Sequence, residues 1–343
     1  MSPDYRANKY SFLKRLGYER RYGNELIKLI REVKPDVILS GQTPSEPQLA
    51  MVQAAAALGI PVITWVQDFY SLAVDKLARK KLPLLGALAG AWYRRLDRRC
   101  FQASAGLVVI TEDFTPILQG FGVPAEKITV IPNWASLDEL PRRAKQNPWS
   151  SRHGLADKFV FLYSGTLAMK HNPELLRLLA RQYQDDPAVR VVVISEGPGA
   201  DYLQRRKAVE GLDNLLLLPF QVFTEMPDVL GSADVLVTVL EADAGVFSVP
   251  SKVLTYHTAE RAILGAMPAK NLAAHIIQVE RSGLCVAPDN SAAFLQAAST
   301  LRKDPALRES LGRNARAYAE REFDLAKITD RFEALFRKAT HTT

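Results

Sequence analysis

Cysteine is scarce in this chain: Cys100 and Cys285 are the only two in 343 residues, and they lie far apart. That excludes a disulfide-stapled scaffold and a cysteine-based zinc module, and both thiols are expected to act as small apolar residues. No run of 18 or more apolar residues is present, so no segment is predicted to span a bilayer. No secretory leader is read at the start, and the chain is expected to be cytoplasmic. The Gly-x-Gly-x-x-Gly dinucleotide fingerprint is missing. Basic segments interleaved with aromatics are missing too, so nucleic acid is not an expected partner. There are no short-period repeats and no low-complexity tracts.

What remains is an ordinary globular composition, 48% apolar and 24% charged, in a chain long enough for two cores. The net charge of +7 suits anionic partners such as nucleotide phosphates and acidic lipid headgroups. From residue 20 onward, helical and strand periods alternate. Short apolar strands are expected near 37–39, 61–66, 106–111 and 128–132, then near 159–164, 190–195, 215–219, 233–240, 262–264 and 284–286. Helices separate them, which predicts parallel sheets covered on both faces. Residues 135–157 break the rhythm with a polar, proline-bounded, aperiodic run and read as a connector. The predicted division is an incomplete N-terminal domain over 1–140, a linker over 141–157, a second domain over 158–322 and a closing helix over 323–343.

The strongest chemical signal is Val249-Pro250-Ser251-Lys252-Val253-Leu254-Thr255-Tyr256. An apolar strand runs into a loop with Gly245, and Pro250-Ser251 then open a helix. Unpaired backbone N–H groups and a lysine are thereby presented to one point, a common way to hold a phosphate. The helix dipole alone adds roughly 0.3–1 kcal/mol to such anion binding. A second loop, Ser164-Gly165-Thr166-Leu167-Ala168-Met169-Lys170-His171-Asn172-Pro173, follows another strand. Ser195-Glu196-Gly197-Pro198-Gly199 follows a third; Gly197 either faces a ligand or makes a plain strand-to-helix turn.

Together with Val130-Ile131-Pro132-Asn133-Trp134, these segments resemble the family 4 glycosyltransferases, in particular the bacterial surface-polysaccharide branch of the colanic-acid type. The resemblance implies the GT-B fold: α/β, two facing Rossmann-like doubly wound domains, here with a shortened N-terminal one. Members usually begin with a strand, a Gly-rich turn and a helix, which this chain does not show. Either the start has been assigned downstream of the true one, or the chain is a natural short form that depends on a partner.

The resemblance also implies roles. Lys170 grips the donor pyrophosphate, with Gly165 and Thr166 beside it; many relatives carry an arginine where Thr166-Leu167 stand. Phe220 lies in a segment that flanks the nucleotide base, or else packs in the core. Relatives place two glutamates eight residues apart around the next loop; here Glu241 is present and position 249 is valine. Glu241 or Asp243 is therefore the candidate for the sugar hydroxyls, and Thr255 for the ribose. Gly245, Ser248, Ser251 and Lys252 are candidates for phosphate contact. In the first half, Gln67 replaces the usual histidine, leaving Asp68 as the catalytic candidate beside Glu241. Ala259-Glu260-Arg261-Ala262 replaces a turn that usually holds glycine.

The Asp-x-Asp pair of the metal-dependent glycosyltransferases is absent, so no metal and no cofactor is expected; the nucleotide sugar is a substrate. The implied reaction moves a sugar from a nucleotide donor, UDP-linked, to a polyprenyl-diphosphate-linked saccharide, with retention. Residues 79–99 hold an apolar dozen ending in Trp92-Tyr93 between basic flanks, suited to peripheral contact with the inner face of the plasma membrane or to a core helix with a solvated end. Two other classes stay open: a non-catalytic paralogue that binds a partner, and a GT-B nucleotide-sugar 2-epimerase.

Overall fold

The computed structural model describes residues 12–41, 43–72, 74–75, 83–167, 171–242 and 251–341. The chain divides into two compact units, Asn133–Leu325 and a first unit made of Met1–Pro132 with Ala326–Thr343.

In the first unit, helix α1 (Phe12–Val33) precedes β1 (Ile38–Gly41), α2 (Ser45–Ala56), β2 (Val62–Val66), α3 (Pro83–Ala103), β3 (Gly106–Val109), α4 (Phe114–Gly120) and β4 (Ile128–Val130). The strands form one parallel sheet in the order β1-β2-β3-β4. Its core gathers Leu49, Val52 and Ala55 of α2 with Tyr93, Leu96 and Cys100 of α3. Cys100 is buried and unpaired, and desolvation pushes its thiol up to about 12, so it behaves as a core residue. The tail helix α13 (Leu325–His341) belongs here, with Phe332 edge-on to Trp65 at 5.3 Å and Arg331 donating to the Val130 carbonyl.

The second unit carries α5 (Pro148–Arg152), β5 (Phe159–Ser164), α6 (Pro173–Gln182), β6 (Val189–Ile194), α7 (Pro198–Glu210), β7 (Leu215–Leu218), α8 (Met226–Gly231), β8 (Val235–Val239), α9 (Ser251–Thr258), β9 (Ala262–Ala266), α10 (Leu272–Val279), β10 (Gly283–Val286), α11 (Ser291–Lys303) and α12 (Pro305–Glu322). Its six parallel strands run β10-β9-β8-β5-β6-β7. Side chains alternate across the sheet with the period of two that a strand imposes. Phe161, Tyr163, Val191, Val193, Val235 and Val237 face the helices α6 and α11, whereas Val160, Leu162, Val192, Ile194 and Leu236 face α5, α8, α9 and α10. Because both faces are covered, the strands read as continuous apolar runs.

Residues 141–157, expected as a linker, are packed on this second unit. Asn147 caps α5 by accepting from the Ser150 N–H, and Pro148 takes the first helical position. Trp149 is 1% exposed. Arg261 donates to the carbonyls of Gly231 (2.9 Å) at the end of α8 and Ala233 (2.7 Å) in the α8–β8 connection, and to that of Arg143 (3.0 Å). The segment lacks a hydrophobic period because side chain-to-backbone bonds, not a helical stripe, hold it down. The expected shortening of the first domain concerns a segment outside the described residues.

Candidate functional site

Counting from β5, the sheet order of the second unit is 3-2-1-4-5-6, so the winding direction reverses between β5 and β8. Loops leaving the carboxyl ends of two such strands diverge, and the crevice between them is where open α/β sheets hold ligands. A cavity of about 550 Å³ lies there, lined by residues that include Ser164 at the end of β5, Gly165 and Thr166 after it, Leu240 after β8, and Ser251, Lys252 and Thr255 of α9. Phe220, Gln221 and Phe223 from the β7–α8 connection and Met226 at the start of α8 complete another wall, and His171 also lines it.

Helix α9 is fastened in place by two side chains. The Tyr256 hydroxyl accepts from the Ser164 N–H (2.9 Å) and lies 3.2 Å from the Val237 carbonyl, which ties the helix to β5 and β8 together. His257 sits with Nδ1 2.6 Å from the Val253 carbonyl and Nε2 2.9 Å from Ser282 Oγ. Burial pushes its pKa down to about 4, so it is a neutral strut.

Lys252 is thereby aimed at the turn after β5. Its ammonium donates to the Tyr163 hydroxyl and lies 3.6 Å from the centre of that ring. Tyr163 in turn donates to the Thr166 carbonyl at 2.9 Å. A buried cation is costly to desolvate, and burial pushes the Lys252 pKa down to about 7. Gly165 makes the approach sterically open. Its φ is +133°, and a Cβ there would stand 3.0 Å from Lys252 Cε and 3.2 Å from Nζ.

The predicted residues divide into three groups. Gly165, Thr166, Phe220, Ser251, Lys252 and Thr255 share the cavity. Phe220 is 45% exposed, so it stands at the rim and not in the core. Gly197 is not a lining residue: the Gly197-Pro198-Gly199 turn backs onto the β5 loop, where the Gly199 N–H donates to the Leu167 carbonyl (2.8 Å) and a Cβ on Gly199 would come within 2.4 Å of that oxygen. Gly197 stands at the start of α7 with φ +106°. Glu241 follows Leu240 directly and is partly buried at the cavity's edge without lining it. Asp68 stands exposed just past the carboxyl end of β2, in the first unit. Lys170, Asp243, Gly245 and Ser248 lie outside the described residues.

Glu260 supplies what a glycine would have supplied at the end of α9. It takes φ +56°, and its carboxylate pairs with Arg142 at 2.7 Å. Sequence reasoning missed Tyr163, Gln221 and Tyr256. Tyr163 lies in buried strand β5 and Tyr256 in α9, and their distant partners give them a part in the site.

Two parallel-sheet units, the second doubly wound with a cation and a helix start converging on its switch-point crevice, are the architecture of the GT-B glycosyltransferases; among the described strands the first unit runs in simple order, without the reversal expected of a doubly wound domain. The chain belongs to the glycosyl transferases group 1 family, whose model matches residues 145–318, and residues 3–139 match the model described as glycosyltransferase family 4. The sequence has no significant match among curated proteins. Among solved structures, Anabaena HepE in complex with UDP-glucose is similar at 15% identity and a TM-score of 0.73, over 92% of this chain and 82% of that one. A glycosyltransferase from Rickettsia africae aligns at 11% identity and 0.71, covering 94% and 82%. Sucrose-phosphate synthase from Thermosynechococcus elongatus aligns at 14% and 0.68, covering 94% and 78%. At these identities the likeness is one of fold.

Proposed function

We propose that the chain transfers a sugar from a UDP-sugar to a hydroxyl of a polyprenyl-diphosphate-linked saccharide during surface-polysaccharide synthesis, with retention at the anomeric carbon. The observation that carries this reading is the Lys252 ammonium over the Gly165–Thr166 turn, in a cavity whose other wall holds Phe220 and Phe223. A nucleoside diphosphate has the complementary halves, an anion and a flat apolar ring. The HepE structures, which hold UDP and UDP-glucose, support the choice of donor.

In this mechanism the C1–O bond to the diphosphate breaks as the bond to the acceptor oxygen forms. Negative charge grows on the leaving diphosphate, and Lys252 with the start of α9 stabilises it where little water competes. Lys170 is assigned the same task from the β5–α6 loop. Glu241 holds the sugar hydroxyls, Thr255 the ribose, and Asp68 orients the attacking hydroxyl and takes its proton. No metal is assigned a step.

The acceptor is membrane-borne, and α3 supplies the surface we assign to the bilayer. Leu84, Leu88 and Trp92 are 84%, 69% and 56% exposed along one face of this helix. Exposed Arg95, Arg98 and Arg99 follow, an order that suits acyl chains and then anionic headgroups. Residues 79–82 of the predicted contact lie outside the described residues. No helix among the described residues is long and apolar enough to cross a membrane.

The test is release of UDP from UDP-sugars, followed with and without a polyprenyl-diphosphate saccharide. Acceptor-dependent UDP release with a lengthened lipid product is expected. Conversion of the donor sugar without any acceptor would transfer the chain to the epimerases, and no turnover together with no nucleotide binding would make it a scaffold.

A further inference from the structure

The donor cavity has two ends with different chemistry. Lys252 and Gly165 sit at the β5–β8 switch, whereas Phe220, Gln221 and Phe223 follow β7, two strands beyond β5. Two strand spacings are about 10 Å, enough to separate the diphosphate of one ligand from its base. The base therefore falls against the β7–α8 connection, where Gln221 is the only side-chain amide among the described lining residues.

That amide is already committed on both sides. Its Oε1 accepts from the indole N–H of Trp149 at 3.0 Å, and its Nε2 donates to the Pro219 carbonyl at 2.8 Å. An indole nitrogen donates and never accepts, so turning the amide over would set N–H against N–H. The same short helix holds the same wall twice more. Arg152 pairs with Glu225 at 2.5 Å, and Asn147 donates to the Asp228 carbonyl at 2.9 Å and to Ser232 Oγ at 3.1 Å. Trp149 is itself immobile, 1% exposed and packed among Leu155, Val229 and Leu230, with the His153 ring 4.2 Å away. Asn147, Trp149 and Arg152 thus tie the cap and turn of α5 to residues 221–232.

We infer that Trp149 is a specificity-determining positioning residue: through its indole N–H it fixes which edge the Gln221 amide shows to the nucleobase, and so selects the base of the donor. Trp149 touches no substrate; it acts through Gln221. This rests on the proposed nucleotide-donor reading of the cavity and adds to it the residue pair that decides among nucleotides. A site built to hydrogen-bond one base edge rejects others because its own polar group is left unpaired.

The experiment is calorimetric titration of the full chain with UDP, GDP and ADP, using wild type, Trp149→Phe and Gln221→Leu, with melting temperature followed in parallel. Wild type is expected to prefer one base by about tenfold or more. Trp149→Phe keeps an aromatic ring in the core but loses the N–H, and is expected to compress that preference to about twofold. Gln221→Leu removes the amide itself from the partly exposed side and serves if the core variant fails to fold; it should compress the preference at least as far. The double variant should compress the preference no further than Gln221→Leu alone, since Trp149 acts only through Gln221. A wild type that binds all three nucleotides alike, or variants that lose melting temperature yet keep the full preference, would overturn the inference while leaving the donor reading in place. A wild type that binds no nucleotide would overturn both.

Discussion

Lys252 is the residue on which the chemistry concentrates, and its burial gives it a measurable signature. Desolvation lowers its folded-state pKa from 10.5 to about 7. Below that pH it is charged in both folded and unfolded chains, and the full burial cost is present. Between about 7 and 10.5 the unfolded chain binds the extra proton, so raising the pH stabilises the folded state. Lys252→Met removes this dependence. Denaturant midpoints measured from about pH 6 to about pH 9 should therefore move in favour of wild type relative to the variant as pH rises; parallel curves would show that Lys252 is not desolvated. Gly165 makes a second residue-scale prediction. Forcing an alanine into φ +133° costs about 1–3 kcal/mol, and the new methyl pushes Lys252 aside. Gly165→Ala is expected to lower the denaturant midpoint and weaken UDP binding together, and unchanged UDP affinity would contradict the role given to that turn.

Single residues were legible where backbone chemistry dictates them. Gly165 and Ser251-Lys252 stand at strand ends and helix starts, and that position alone carries meaning. Tyr163 and Trp149 were not, because their partners are 89 and 72 residues away in sequence. A tyrosine in a buried strand carries no local sign that its hydroxyl will meet a lysine. Glu260 shows the converse: the expected glycine is replaced, yet the turn is kept by a glutamate that takes the left-handed conformation and pairs with Arg142.

At the scale of elements, α3 is the one whose two faces answer different demands. Tyr93, Leu96 and Cys100 point into the first unit's core, and Leu84, Leu88 and Trp92 point outward. The sequence showed an apolar helix with basic ends but not which residues face out, since a helix apolar on both sides has a weak periodic signal. Leu88→Ser should change stability by less than about 0.5 kcal/mol, whereas a polar residue at Leu96 should cost about 2 kcal/mol or more. Sedimentation with vesicles containing anionic lipid checks the assignment of the outer face. Leu88→Ser and Trp92→Ser should release the protein from them, and binding equal to wild type would remove α3 from the membrane reading. The element most fully hidden in the sequence was α5, where proline, asparagine and arginine resembled a connector because they work through caps and ion pairs.

At the scale of the whole molecule, the alternation of short apolar strands with helices was enough to predict two parallel-sheet units and their four and six strands. Strand order was not legible in the same way. Only the pairing of β8 with β5, across three intervening helices and two strands, creates the switch point that turns scattered motifs into one crevice. The tail helix was foreseen as a helix; its place in the first unit depends on contacts such as Phe332 with Trp65 that no local pattern announces.

The direct test of the central claim is a calorimetric titration of UDP into wild type and Lys252→Ala at matched melting temperature. Saturable binding of one UDP per chain is predicted for wild type, with affinity falling by about tenfold or more in the variant, the loss expected when a charge-assisted contact to a phosphate is removed. Equal affinity in both proteins, or none in wild type, would contradict a diphosphate held at the start of α9.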